Sequence, residues 1–130
     1  MHTVRLACRG ALSIVLFDLV ASLASRVFGF PYGYATLGSL LIYASIGFVA
    51  ARRVDVAAAA TASAAVGFVE ATLGWAISWL IGPGRLPSGT PSLGRIANTV
   101  LIVTLIGAAI GALGGIIGQR SGRRRVEATE

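Results

Sequence analysis

With 130 residues, 55% of them apolar and 12% charged, the chain carries more hydrophobic surface than a soluble domain of its size can hide. The net charge of +6 comes entirely from Arg, and the absence of Lys excludes a P-loop lysine or a Schiff base. One Cys, Cys8, excludes an intramolecular disulfide, and a single His at position 2 leaves no zinc site of the usual kind.

Four apolar segments follow one another, at about residues 6–28, 35–51, 56–81 and 96–118. A helix needs about 20 residues to cross about 30 Å of hydrocarbon, so each segment reads as a membrane span. The fold class is therefore all-α: one domain, residues 1–130, forming a polytopic four-transmembrane-helix bundle. The second span is the shortest. The third is longer than a crossing requires, which predicts tilt or an interfacial start at Ala57–Ala60.

The connections differ in kind. Phe28-Gly29-Phe30-Pro31-Tyr32-Gly33 punctuates the first hairpin, and Arg52-Arg53-Val54-Asp55 is a short polar turn. Residues 82–91 form a longer loop rich in Gly and Pro. The polar tail, 119–130, is expected to fray. A secretory signal peptide is the competing reading of residues 5–24. Asp18 inside the apolar run, and apolar character continuing to Phe28, weigh against it.

The Arg distribution sets an expected orientation. Arg5, Arg9, Arg52, Arg53, Arg120, Arg123, Arg124 and Arg125 fall at one end, against Arg26, Arg85 and Arg95 at the other. Both termini are thus expected in the cytoplasm of a bacterial plasma (inner) membrane. Trp75, Trp79, Tyr32 and Tyr34 then fall near the outer interface, where aromatic belts form. Basic residues at the ends of apolar runs argue for the lipid bilayer as partner and against nucleic acid.

Asp18 and Glu70 are the most informative residues. Each lies midway along its span, where a carboxyl group costs several kcal/mol and normally faces a bundle interior or a wet cavity. Helical spacing puts Ser22, Ser25 and Gly29 on the Asp18 face, and Ser63, Gly67, Gly74 and Ser78 on the Glu70 face. Two carboxylates sharing a low-dielectric site cannot both ionise cheaply, a property suited to carrying a proton or holding a cation. The competing role is helix packing, with each acid hydrogen-bonded to a facing hydroxyl. Tyr43, Ser39 and Thr36 on the second span and Thr104 on the fourth are available; Tyr43 is taken with Asp18 and Glu70 as the candidate proton or cation site. Arg26, two turns from Asp18, is expected to snorkel outward.

Gly107, Gly111 and Gly115, with Gly114 and Gly118, form a small-residue face that lets helix backbones touch, within the chain or against a second copy. Gly111-Ala112-Leu113-Gly114-Gly115 is no dinucleotide fingerprint, because it ends an apolar helix. No cofactor, metal site or catalytic constellation is expected, and the chain does not read as an enzyme. The halves also look related, since Pro31 follows Asp18, and Pro83 follows Glu70, at the same spacing of thirteen. Two duplicated hairpins would be related by an axis along the membrane normal.

Size, helix count and the Gly-rich last helix ending in Arg are similar to small four-helix bacterial membrane proteins that are themselves uncharacterised. Size and helix count also resemble the small multidrug resistance transporters, which carry an acid in their first helix. Asp18 is the only match to it; Phe17-Asp18-Leu19-Val20 departs from that family's glutamate context, and Glu70 has no counterpart there. The functional expectation is a proton- or cation-coupled transporter or permeation pathway using the midplane carboxylates. The alternative is a non-transporting accessory or assembly subunit, with a partner subunit or a second copy of the chain.

Overall fold

A computed structural model describes residues 2–85 and 89–127. Described residues fold into helices α1 (His2–Phe28), α2 (Ala35–Arg53), α3 (Val56–Val69), α4 (Trp75–Ile81) and α5 (Leu93–Glu127). A 3-10 turn, Tyr32–Tyr34, leads into α2, and a π turn, Glu70–Gly74, joins α3 to α4. The third span is therefore α3, the π turn and α4 taken together. All four spans are long and apolar enough to cross a membrane. Their outward faces carry Leu16, Leu41, Phe68, Leu101, Leu105, Leu113 and Ile117, all exposed. Such a surface matches lipid and would be a liability in water. The chain is a small four-helix membrane protein.

Local chemistry explains the ends. Gly29 (φ 71°) terminates α1 and donates its N–H to the Ser25 carbonyl at 2.9 Å. Gly82 (φ 125°) does the same for α4, bonding the Ser78 carbonyl at 2.9 Å. Both positions need the left-handed backbone that glycine adopts without penalty. Asp55 caps α3 by accepting from the Ala58 N–H at 2.7 Å, which closes the short turn after Arg53. The long loop's Leu86, Pro87 and Ser88, and tail residues 128–130, lie outside the described residues. Where the tail was expected to fray from 119, α5 continues as helix to Glu127.

The helices pack as a rhomb. α2 and α3 meet along the middle, α1 lies against both on one side, and α5 lies against both on the other. α1 and α5 do not meet. This corrects the expected two-fold relation between hairpins, which would pair the first span with the fourth as it pairs the second with the third. The glycine face of α5, squeezed between α2 and α3, fixes the actual arrangement. A Cβ at Gly107 or Gly111 would strike the Ser63 region of α3, and one at Gly115 would meet Ala59 and Ala51. At Gly114 and Gly118 it would strike the Ala44 and Phe48 backbone of α2. Gly47 of α2 meets the Gly111 backbone from the other side.

The close approach ends where the glycines end. The last tight contact is at Gly67, where a Cβ would lie 2.8 Å from the Val103 carbonyl oxygen. From Ile106 back to Arg95 the helix has no glycine, and α5 makes no contact with α4. α4 packs on α1 instead. The third and fourth spans therefore splay apart at the end opposite the Arg-rich one, leaving a cleft between α4 and α5.

Candidate functional site

The site lies where the splay begins. Asp18 of α1 is 2% exposed, near the middle of its span. Its Oδ1 accepts a hydrogen bond from the Tyr32 hydroxyl at 3.1 Å. Its Oδ2 is buried and has no hydrogen-bond partner among the described residues. Gly74 lets the carboxyl group sit there, since a Cβ at that position would collide with Asp18 Oδ2. The same Cβ would lie 3.4 Å from Glu70 Cγ, so Gly74 is the shared wall between the two acids.

Glu70 is held differently. Ser39 Oγ donates to its Oε1 at 2.6 Å, and the Tyr43 hydroxyl donates to its Oε2. Both donors come from one face of α2, four residues apart. Tyr43 is 2% exposed, and its carbonyl accepts from Ser63 Oγ at 3.0 Å, which ties α2 to α3 a second time. Of the other hydroxyls considered from sequence, Thr36 is exposed, while Thr104 Oγ1 is buried without a partner.

Glu70 opens the π turn, and the Trp75 N–H reaches back five residues to its carbonyl. The extra residue disturbs the regular ladder, and the Thr72 hydroxyl fills in, donating toward the Phe68 and Val69 carbonyls at 2.8 and 3.2 Å. One turn thereby aims Glu70 at α2 and presents Gly74 to α1.

Both acids line one cavity of about 130 Å³, together with Tyr32, Trp75, Ser78 and Thr99. Ala71, Trp75 and Thr99 also line the α4–α5 cleft, about 360 Å³, whose other walls are Pro91, Arg95 and Ile96. The two spaces thus share these three residues as a common wall. On the other side of the acids, Ile14, Tyr43 and Val66 form a buried apolar layer, flanked by Phe17, Leu40 and Ile110. A buried apolar layer thus separates the pair from the Arg-rich end.

Two residues belong to this site that sequence reasoning assigned elsewhere. Tyr32, expected in an interfacial aromatic belt, turns inward to Asp18, whereas Tyr34 is exposed. Trp75, expected in the same belt, lines both the cleft and the cavity. Arg26 is exposed and donates through Nη1 to the Ile81 carbonyl at 2.6 Å, away from Asp18's free oxygen. No protein-family model, curated protein or solved structure matches the chain.

Proposed function

We propose that the protein moves a proton or a small cation, using Asp18 and Glu70 as the site where the charge is held in mid-membrane. One observation carries this reading: Asp18 Oδ2, fully buried at mid-span, has no donor among the described residues. An unmet buried acceptor costs about 1–3 kcal/mol, and a carboxyl group kept in that condition is the default sign of a functional group inside a membrane protein. A bound proton or small cation would satisfy it. Glu70, already holding two hydroxyl donors, supplies a second negative charge close by.

Asp18→Asn keeps shape and hydrogen-bonding capacity but cannot ionise. In proteoliposomes with a trapped pH indicator, or with a radioactive cation, that variant and Glu70→Gln should fold as wild type and lose flux at least tenfold. Equal flux from the double variant and wild type at every pH defeats transport.

A second reading is favoured by a different observation. Both Glu70 bonds tie the third span to α2, as a packing element would. An accessory or assembly subunit needs no more than that, and would show no flux in either form.

A further inference from the structure

Arg26, Arg85 and Arg95 stand at the splayed end, and they are not alike. Arg26 donates through Nη1 to the Ile81 carbonyl at 2.6 Å. Arg85 donates to the Trp79 and Leu80 carbonyls at 3.0 and 3.4 Å, and its guanidinium lies over the Trp79 ring. Both are engaged by the end of α4. Arg95, on the first turn of α5, is exposed, and among the described residues its hydrogen bonds use backbone atoms alone. The acidic residues of the chain are Asp18, Asp55, Glu70, Glu127 and Glu130, and none is among the described residues that line the α4–α5 cleft with Arg95.

Beyond that one cation the cleft is mainly apolar. Its volume of about 360 Å³ is walled by Pro91 and Ile96 on one side and by Ala71 and Trp75 on the other. Thr99 adds a hydroxyl, which is turned onto the Arg95 carbonyl at 3.0 Å. Thr99 lies about 6 Å deeper along α5 than Arg95, at 1.5 Å per residue. From Ser92 to Ile106 no residue of α5 is buried, so this half of the helix has little protein cover. The cleft separates two membrane spans, so hydrocarbon borders it and not water. An empty space there would forfeit the dispersion contacts of its walls. A cation at the rim and an apolar slot running inward from it match an amphiphile with an anionic head.

We propose that the cleft between α4 and α5 holds one acyl chain of an anionic glycerophospholipid whose phosphate pairs with Arg95. The planar guanidinium fork binds a phosphate through paired N–H donors. A headgroup with its own ammonium finds no carboxylate beside Arg95 to receive it, so a net-negative headgroup is preferred over a zwitterionic one. The site uses neither Asp18 nor Glu70 and is independent of whether the protein transports anything.

The test uses the full-length chain in phosphatidylcholine nanodiscs containing a minor fraction of phosphatidylglycerol or phosphatidylethanolamine. Native mass spectrometry of the released protein should show phosphatidylglycerol retained at least tenfold over either zwitterionic lipid at equal fraction. Arg95→Gln should bring that ratio close to one, and Arg95→Lys, which keeps the charge without the fork, should restore part of it. Arg85→Gln should leave the ratio unchanged, because that guanidinium is already engaged. In a second arm, Trp79→Phe leaves Trp75 as the only tryptophan, and lipids brominated on the acyl chain report its contact with hydrocarbon. Brominated phosphatidylglycerol should quench Trp75 more strongly than brominated phosphatidylcholine at equal fraction, and Thr99→Phe, which fills the cleft, should remove the difference. Equal retention of the three lipids, an unchanged ratio in Arg95→Gln, an equal loss in Arg85→Gln, or a quenching difference that survives Thr99→Phe overturns the proposal. A dimer that Thr99→Phe disperses would assign the cleft to a second copy of the chain and overturns it as well. Should Thr99→Phe not fold, the ratio in Arg95→Gln, at an exposed position, decides alone.

Discussion

At the scale of single residues, the two acids are not equivalent. Glu70 is clamped by α2 through both oxygens, and Asp18 is held through one. The clamp should be measurable as stability. Hydrogen bonds between membrane helices average about 0.6 kcal/mol and reach about 1.7. The Tyr43 bond goes to a partly buried carboxyl group at mid-span, which places it at the upper end. Tyr43→Phe should therefore cost about 1.5 kcal/mol in reversible detergent unfolding; a loss below about 0.5 kcal/mol would mean that the bond contributes nothing beyond an average contact. Ser39 and Tyr43 were legible from sequence because one helical turn separates them, and depth puts them opposite Glu70. Tyr32 was not legible, because a residue in a Gly- and Pro-flanked turn has no helical face to read. Only the 3-10 entry into α2 directs its hydroxyl inward.

At the scale of elements, glycine position decides where helices touch and where they part. Gly47→Ala would put a methyl group into the Gly111 backbone, which has no rotamer to yield. The expected cost is about 1–3 kcal/mol, typical of overpacking. Gly94→Ala meets open space and should be neutral or stabilising by up to about 1 kcal/mol. Gly111→Leu should likewise unfold at lower temperature than Ile110→Leu. Equal thermal midpoints for Gly47→Ala and Gly94→Ala in one detergent would mean that the helices are not in backbone contact there. The spacing of these glycines was plain in the sequence. The π turn was not: Glu70-Ala71-Thr72-Leu73-Gly74 contains no proline, and its one glycine reads as a packing residue. An extra residue in the ladder becomes visible only when the flanking segments are fixed by different neighbours, here α5 for α3 and α1 for α4.

At the scale of the whole molecule, the number of spans followed directly from length and hydropathy, whereas their arrangement did not. Apolar helices look alike in sequence, and an equal spacing of acid and proline suggested a symmetry that the packing lacks. The up-and-down order puts the turn after Arg53 and the end of α5 on one side, and residues 89–91 on the other. With the Arg bias setting orientation, reporters fused after Arg53 and after Arg125 should read cytoplasmic, and one within 87–91 external. An internal reading for the 87–91 fusion would reverse the expected topology.

The division of α5 into a glycine-locked half and a splayed half has a kinetic consequence. Opening free energy is not uniform along a helix; it follows how much surrounding structure must move before an amide is released. Amides between Gly107 and Gly118 can open only by separating α5 from both α2 and α3, whose backbones touch it. Those between Arg95 and Val100 border the cleft and have no α4 partner to displace. Hydrogen exchange in nanodiscs should therefore fall into two classes within the bundle-packed part of one unbroken helix, slow between Gly107 and Gly118 and at least tenfold faster before Val100. A uniform rate would mean that α5 opens as a single unit.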